Sequence, residues 1–368
     1  MTHETSQLPL SLLLKKDLPF ATYRLPGSKK IQFVFQLERM IESNPFENLD
    51  TAEGFAVAEF NSYKTKRFYL IKPYRKTNEA FIDKEFIKKI LALPDAENIF
   101  KENKEISEGQ YLKMANKLIQ ELKKEKLKKV VLSRMIAFET GENFTAEKFF
   151  KLLETSYREA FVYIINLPGK GTWVGATPEV LLRINNEVGE TVSLAGTKPI
   201  DKIDWTEKEI EEQKIVTDSI AETLMNCGIN NFTQKGPETY SAGNIAHLKT
   251  VFRLPVSELK GKIGKLLKEL HPTPAVCGLP KDEAFDLISK TEMHERRFYT
   301  GFIGPVNLDG KTDLFVNLRC AELGKNTINI YVGGGLTAAS VAKDEWKETV
   351  RKSGTLLAVA KKLQTFAP

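Results

Sequence analysis

The hydrophobic positions between residues 107 and 138 change from a helical to a strand-like period. Ser107 and Gln110 have the spacing of a capping box, which marks the start of a helix. Apolar residues then recur at helical intervals, at Leu112, Ala115, Leu118, Ile119 and Leu122. From Val130 the run VVLSRMIAF, rich in β-branched residues, is typical of a buried strand. This stretch therefore predicts a helix followed by a strand.

Later segments repeat both signals and predict the fold class. Further strands are predicted at AFVYIINL (160–167), TWVGATP (172–178), LFVNLRCAEL (314–323) and TINIYVGG (327–334). A second capping box, Thr206 with Glu209, predicts a helix that ends near Gly228, and a last helix is predicted over about 340–363. Strands in succession, with helices between groups of them, favour an α+β fold over a doubly wound parallel sheet. The sequence has no internal repeat or low-complexity linker, so we predict a single domain over 1–368.

Composition and charge narrow the class of protein. The chain has 368 residues, of which 28% are charged and 42% hydrophobic, as in ordinary globular proteins. The net charge is +6, and the densest basic run, 123–129, lacks interleaved aromatic residues, so we expect no nucleic-acid partner. We expect no membrane association, because no apolar run approaches the ~18 residues of a membrane span. The N-terminal apolar stretch has no basic segment before it and no small-residue cleavage site, so we expect no secretory signal. Together with the wide separation of the three cysteines, this predicts a cytoplasmic protein.

Two acidic pairs lie at helical spacing on separate predicted helices. Glu209 and Glu212 are three residues apart, as are Glu345 and Glu348. Each pair shares a helix face, so two facing helices would present several carboxylates to one hard cation. The alternative is structural: Glu209 closes a capping box, and Glu348 forms an ordinary surface pair with Lys352. Spacing alone leaves both interpretations open.

Two other segments also allow two interpretations. The glycines at 333–335 follow a strand, where they form either a tight turn or a backbone that approaches a ligand too closely for any Cβ. No Lys-Ser/Thr pair follows them, so they are not a P-loop. The segment HPTPAVCGLP (271–280) is either a rigid wall of a pocket or a structural connection whose histidine is satisfied by backbone.

An ordered series of motifs resembles the chorismate-binding enzymes. The motifs are KVVLSR (129–134), GATPE (175–179), LAGTKP (194–199), HPTPAVCGLP (271–280), ERRFYTGFIG (295–304), NLRCAEL (317–323), YVGGG (331–335) and DEWKETVRKS (344–353). That family includes isochorismate synthases, salicylate synthases, the large subunit of anthranilate synthase and aminodeoxychorismate synthase. The resemblance covers roughly 107–368, and residues 1–106 form a poorly matched N-terminal part.

The resemblance implies a large antiparallel β-sandwich flanked by helices, with the active site in a cleft. Glu212 and Glu348 match the family's Mg²⁺ ligands, with Glu209 and Glu345 close by; apart from Lys352, no cation is expected beside Glu212 or Glu348. The residues that the resemblance assigns to substrate binding are Gly196 and Thr197 (ring carboxylate), Tyr299, Arg319 and Gly333 (enolpyruvyl carboxylate), Lys352 and His271.

Within the family that this chain resembles, the subfamilies differ in the nucleophile that attacks the ring. Lys129 occupies the first position of KVVLSR, where isochorismate and salicylate synthases carry the lysine that activates water for attack at C2. The motif that carries a nucleophilic lysine in aminodeoxychorismate synthases reads SLAGT here, without lysine. Glu179 resembles the acid that protonates the departing C4 hydroxyl, and burial would favour its protonated form. The alternative for Lys129 is a basic helix end like Lys128.

The resemblance therefore predicts an isochorismate synthase, an isomerase that converts chorismate to isochorismate with Mg²⁺ as cofactor. Its product would feed menaquinone or catecholate siderophore synthesis. One alternative is a salicylate synthase, which eliminates pyruvate from isochorismate in the same site. Another is a non-catalytic partner of a glutamine amidotransferase, against which Lys129, Glu179 and the four helix carboxylates argue. No obligatory protein partner is expected.

Overall fold

The helices and strands come from a computed structural model that describes residues 10–74, 84–96, 100, 104–200, 203–242 and 245–365. The strands in this part of the chain are β1 (Phe20–Arg24), β2 (Ile31–Phe35), β3 (Ser43–Pro45), β4 (Gly54–Ala58), β5 (Arg67–Ile71), β6 (Lys129–Glu139), β7 (Phe161–Leu167), β8 (Gly171–Thr177), β9 (Val180–Ile184), β10 (Val188–Pro199), β11 (Thr233–Ala242), β12 (Ile245–Pro255), β13 (Gly278–Leu279), β14 (Phe302–Val306), β15 (Thr312–Val316), β16 (Cys320–Leu323) and β17 (Thr327–Leu336). The helices are α1 (Leu10–Lys15), α2 (Ser62–Thr65), α3 (Lys84–Ala92), α4 (Glu108–Leu122), α5 (Ala146–Ser156), α6 (Glu207–Asn226), α7 (Val256–Leu259), α8 (Ile263–Leu270), α9 (Lys281–Thr291) and α10 (Ala342–Thr365), with a 3₁₀ helix at Phe46–Asp50.

The strands form two antiparallel sheets. One has the order β13-β6-β17-β16-β8-β7-β1-β2, and the other has the order β11-β12-β10-β9-β15-β14-β4-β5-β3. Aromatic side chains from both sheets meet between them: the rings of Phe161 in β7 and Phe315 in β15 stack with centroids 4.2 Å apart. Tyr23 of β1 and Phe55 of β4 approach to 5.2 Å in the same layer. The α+β class and the antiparallel sandwich are therefore confirmed.

Helices cover the outer faces of both sheets. Apolar residues of α1, α3, α5 and α10 pack on the eight-stranded sheet, and those of α6, α8 and the 3₁₀ helix pack on the nine-stranded sheet. All seven residues of β7 are buried, because its two faces meet the sheet interface and the helix layer. This burial on both faces explains why the segment 160–167 is almost entirely apolar.

Residues before position 107 contribute strands to both sheets. β1 pairs with β7, and β4 pairs with β14, so the N-terminal strands continue the sheets formed by the rest of the chain. The N-terminal strands are short and their apolar runs are interrupted, which explains why this part of the sequence is the hardest to interpret.

Both capping boxes are confirmed. The Ser107 N–H donates to Gln110 Oε1 at 2.9 Å at the start of α4, and the Thr206 N–H donates to Glu209 Oε2 at 2.9 Å at the start of α6. α6 ends at Asn226, two residues before Gly228, which has a positive φ of 73°. The last helix runs over Ala342–Thr365, two residues later than predicted.

The prediction of one strand over 314–323 is wrong. The chain leaves the nine-stranded sheet at the end of β15 and enters the eight-stranded sheet at β16. Between them Arg319 has the left-handed φ of 48°, and buried Asn317 donates from Nδ2 to the carbonyl of Phe298 at 2.9 Å. Apolar residues flank this crossing on both sides, so their pattern does not reveal it.

No helix among the described residues has both the length and the apolar composition of a membrane span. Cys227, Cys277 and Cys320 are buried free thiols.

Candidate active site

One cavity of about 140 Å³ collects most of the predicted site residues. Those that line it are Lys129, Glu179, Gly196, Glu209, Glu212, Tyr299, Arg319, Gly333, Glu345, Glu348 and Lys352. They come from both sheets and from α6 and α10, which are far apart in the sequence. Thr197 belongs to β10, and its side chain lies outside the described part of the structure.

Lys129 begins β6 and points into this cavity, where its side chain is only 1% exposed. Its Nζ donates to Oε1 of Glu212 on α6 at 2.7 Å. Lys128, by contrast, is exposed. The expectation that Glu212 lacks a cation of its own is therefore wrong: β6 and α6 bring a lysine to it that the sequence places 83 residues away.

Glu179 follows β8, and its backbone is fixed by β15. The Val316 N–H donates to the carbonyl of Glu179 at 2.9 Å, and the side chain is buried against the cavity. Burial raises the pKa of Glu179 to about 7, although the positive charges of Lys129, Lys352 and Arg319 oppose the rise. This carboxyl is therefore an acid that still holds a proton near neutrality.

Each glycine of the run 333–335 faces a site residue. The run lies inside β17 rather than in a turn. A Cβ at Gly333 would lie 2.9 Å from the hydroxyl of Tyr299, and a Cβ at Gly335 would lie 2.7 Å from Cε of Lys129. At Gly334 the nearest atom would be Oε2 of Glu345 at 3.2 Å. The turn interpretation is wrong, and close approach of site side chains explains the glycines.

Gly196 interrupts the regular pairing of β10 with β12. Its φ is 65°, and a Cβ there would come within 3.3 Å of Glu209 and of the Trp205 ring. Its carbonyl accepts a hydrogen bond from Nδ1 of His247 at 2.9 Å. Burial lowers the pKa of His247 to about 4, so the imidazole is neutral at pH 7.

His247 lines the cavity and was not predicted from the sequence. It lies in β12, where HLKTVFRL mixes apolar with polar residues, and a histidine in such a strand gives no local sign of a functional site. Ala275 and Val276 were also missed as lining residues, although the segment that carries them was noted.

The four helix carboxylates have separate partners. Glu348 accepts from Lys352 Nζ at 2.7 Å, Glu345 accepts from Ser340 Oγ at 2.7 Å, and Glu209 lies 3.2 Å from Lys198 Nζ. Burial disfavours the charge of Lys352, but Glu348, Glu212 and Glu345 outweigh this and raise its pKa. Lys352 Nζ also donates to the carbonyl of Gly333 at 3.2 Å.

These carboxylates fit a hard cation by their chemistry. Within the described chain, no three His, Cys, Asp or Glu side chains are grouped closely enough to hold a metal ion in this arrangement. Carboxylate oxygens from α6 and α10 nevertheless line the same cavity, and such oxygens are the ligands that Mg²⁺ prefers. Glu212 and Glu348 would have to exchange their lysine partners for the ion.

Tyr299 and Arg319 lie on the wall formed by the sheet interface. The Tyr299 ring stacks on Tyr331 with centroids 5.7 Å apart, which orients its hydroxyl toward Gly333. Arg319 sits at the crossing between β15 and β16, where its left-handed backbone lets its half-buried side chain line the cavity. A guanidinium in this place is suited to a carboxylate.

Among the predicted site residues whose side chains the structure describes, His271 does not line the cavity. It lies outside the cavity, and its Nε2–H donates to the carbonyl of Glu59 at 3.2 Å. Its ring packs edge-on against Phe302, and burial lowers its pKa to about 3. Substrate binding by His271 is therefore corrected to a structural role. Four residues further on, Ala275 does line the cavity, so each interpretation of HPTPAVCGLP holds for one part of the segment.

A model of the family described as "Chorismate binding enzyme" matches residues 71–361. The chain belongs to the chorismate-binding enzyme family. The vibriobactin-specific isochorismate synthase of Vibrio cholerae is 24% identical over 342 residues, which cover 88% of this chain and 83% of that protein. Isochorismate synthase EntC of Escherichia coli is 29% identical over 242 residues, or 63% of this chain and 62% of EntC.

Solved structures with the same fold include members of this family. An isochorismate synthase of Bacillus anthracis, DhbC, described as specific for 2,3-dihydroxybenzoate, aligns with a TM-score of 0.76 at 24% identity. The alignment covers 97% of this chain and all of that one. The menaquinone-specific isochorismate synthase MenF of Escherichia coli aligns with a TM-score of 0.77 at 18% identity, over 98% of this chain and 93% of MenF. These likenesses support the sandwich architecture.

Proposed function

We propose that this protein is an isochorismate synthase that acts in the cytoplasm. It converts chorismate to isochorismate by attack of water at C2 and departure of the C4 hydroxyl, with Mg²⁺ as cofactor. The proteins that are similar in sequence are named isochorismate synthases, and one of them is specific for a siderophore. In this chain the proposal rests on two groups with complementary acid–base roles in one cavity.

The observation that carries the proposal is the raised pKa of Glu179, about 7, in the cavity that also holds Lys129. An acid with this pKa keeps a proton to deliver to the leaving hydroxyl at neutral pH, whereas an ordinary glutamate does not. Lys129 accepts a proton from the attacking water. Chorismate and isochorismate differ only in the hydroxyl position, so the reverse reaction exchanges the two roles.

Lys129 has to leave its partner before it acts. Its ion pair with Glu212 stabilises the charged amine, and a charged amine accepts no proton. The base function therefore requires that the carboxylate of Glu212 engage another cation. Because Gly335 has no Cβ, it leaves room for Cε and Nζ of Lys129 beside it.

The cations of the cavity suit a substrate with two carboxylates. Arg319 and Lys352 both line it, and Gly196 and Tyr299 add polar groups on separate walls. Glu212 and Glu348, with Glu209 and Glu345 nearby, would hold the Mg²⁺. When bound, the ion supplies an anchor for the ring carboxylate and the charge that offsets these glutamates.

Incubation of the pure protein with chorismate and Mg²⁺, with identification of the products, tests the proposal. Isochorismate at equilibrium with chorismate is the expected result. Salicylate with pyruvate would instead show a salicylate synthase, and unchanged chorismate would contradict both.

A further inference from the structure

Glu292 and Arg296 form a buried ion pair just outside the candidate active site. Glu292 follows α9, and the two side chains are 3% and 2% exposed. Arg296 Nη2 donates to Glu292 Oε1 at 2.7 Å, and Nε donates to Oε2 at 2.9 Å, which gives two parallel hydrogen bonds. Arg296 offsets the burial of Glu292 and lowers its pKa, so both groups are charged. Neither side chain lines the cavity.

The pair takes the place of a neighbouring strand beside β6. β13 pairs with β6 only at Lys129 and Val130, so the backbone groups beyond that point need other partners. Arg296 Nη2 donates to the carbonyl of Val131 at 2.8 Å. Glu292 Oε1 accepts from the N–H of Ser133 at 2.7 Å, and from the Ser133 hydroxyl at 2.8 Å. The Val131 N–H also donates to the carbonyl of Cys277 at 2.8 Å. From Val131 to Ser133, the edge of β6 is thus held by this backbone bond and by two side chains.

The same guanidinium also holds the two walls that adjoin β6. Arg296 Nη1 donates to the carbonyl of Val276 at 2.8 Å and lies 3.3 Å from the hydroxyl of Thr300. Val131, Val276 and Thr300 all line the cavity. One buried arginine therefore joins three segments of the chain that line this site.

We propose that Glu292 and Arg296 are positioning residues for the reaction, because they fix the β6 edge that carries Lys129 relative to the walls at Val276 and Thr300. The inference rests on the proposed function for its kinetic consequence. A displacement of about 1 Å at a reacting group costs on the order of 10²-fold in rate. The pair thus acts on turnover without touching the substrate.

Arg296→Lys is the central test, because it keeps the charge and removes the planar fork. Arg24→Lys is its matched control. Like Arg296, Arg24 is buried, with a side chain that is 1% exposed and lies 3.4 Å from Glu154. It donates to the carbonyls of Tyr157 and Arg158, but it does not line the cavity. We expect Arg296→Lys to lower kcat by roughly 10²-fold with KM changed less than about threefold. Arg24→Lys should lower the Tm comparably and keep kcat.

Ser133→Ala covers the case in which Arg296→Lys does not fold. It removes the hydroxyl's hydrogen bonds to Glu292 and to Nε2 of His294. This substitution should lower kcat by a smaller factor, roughly threefold to tenfold. Wild-type kcat in a folded Arg296→Lys, or an equal loss of kcat in Arg24→Lys, would overturn the inference. If Arg296→Lys does not fold, an unchanged kcat in Ser133→Ala would overturn it.

Hydrogen exchange separates this inference from the proposed function. Peptides over 129–136 should exchange faster in Arg296→Lys, or in Ser133→Ala, than in the wild type and in Arg24→Lys, because the β6 edge loses hydrogen bonds. If the wild type forms no isochorismate, the proposed function fails while faster exchange still supports the positioning role. Equal exchange in all variants would contradict that role whatever the activity.

Discussion

Lys129 Nζ lies 2.7 Å from Oε1 of Glu212, so the candidate base and a candidate metal ligand form one ion pair. The lysine side chain is 1% exposed and that of the glutamate is 18% exposed. A cation that binds Glu212 must therefore compete with Lys129 for the carboxylate. Metal binding at Glu212 is therefore linked to whether Lys129 is ion-paired, and the predictions for the base and for the metal both depend on this link.

Lys129→Ala should abolish turnover and keep the fold. A general base contributes on the order of 10²–10⁴-fold, and we expect a loss of kcat in that range. Lys128→Ala, at the exposed neighbouring position, is the control and should stay within about twofold of the wild type. The rate of isochorismate formation, with circular dichroism to verify folding, is the measurement. More than about half of the activity left in Lys129→Ala would remove the lysine from the base role.

Glu179→Gln should stop turnover and leave chorismate binding intact. Glutamine keeps the shape and hydrogen bonding of the side chain but delivers no proton to the leaving hydroxyl. We expect kcat to fall by roughly 10²–10⁴-fold, with the Kd for chorismate within a few fold of the wild type. Weak binding with near-normal turnover would place Glu179 in substrate recognition instead.

The stability contributed by Glu179 should depend on pH. Its folded pKa, about 7, lies above its ordinary value of 4.5, so folding favours the protonated form. That contribution is fully present below about pH 4.5 and is lost as the pH rises to about 7. One pKa unit corresponds to about 1.4 kcal/mol, so the free energy of unfolding of Glu179→Gln relative to wild type should rise by roughly 2–3 kcal/mol from pH 5 to pH 8. Denaturant titrations at both pH values measure the difference, and a pH-independent difference would show that Glu179 has an ordinary pKa.

Gly335→Ala should impair turnover more than stability. Its Cβ would lie 2.7 Å from Cε of Lys129, so the lysine side chain has to shift away from its place. We expect roughly tenfold or greater loss of kcat. Gly354→Ala is the control. No heavy atom of the described residues, apart from its own helix backbone and its chain neighbours, lies within 4 Å of its Cβ position in α10, so it should raise the free energy of unfolding by about 0.5–1 kcal/mol and leave kcat unchanged. Equal kcat in the two variants would mean that Lys129 does not need this space.

Mg²⁺ should bind at Glu212 and Glu348 in competition with their lysines. Glu212→Gln and Glu348→Gln should weaken Mg²⁺ binding by roughly tenfold or more, as measured by calorimetry, whereas Glu211→Gln, exposed on the same helix, should not. Lys129→Ala should bind Mg²⁺ more tightly than the wild type, because the competing cation is gone.

Chorismate and Mg²⁺ should also bind cooperatively, with a coupling of about 5–150-fold. Chelator should stop activity reversibly. Full activity in chelator, or equal chorismate affinity with and without Mg²⁺, would contradict a metal role for these carboxylates.

Local patterns along the sequence determined the elements that carry the site. Capping boxes at Ser107 and Thr206 act within one helical turn, so they are readable without the fold, and the structure contains both. The α+β class follows equally from the order of strand and helix patterns. The ordered motifs singled out Lys129 and Glu179, which line one cavity, because each motif is a short piece of chain with its own spacing.

Only the tertiary structure decided what those side chains touch. Val316 and Cys320 belong to different sheets, although the pattern over 314–323 predicts one strand. His271 packs edge-on against Phe302 rather than in the cavity. The ion pair of Lys129 with Glu212 joins β6 to α6, and no pattern in either segment specifies the other. Burial likewise sets the raised pKa of Glu179, because desolvation depends on what packs around a carboxyl and not on its neighbours in sequence.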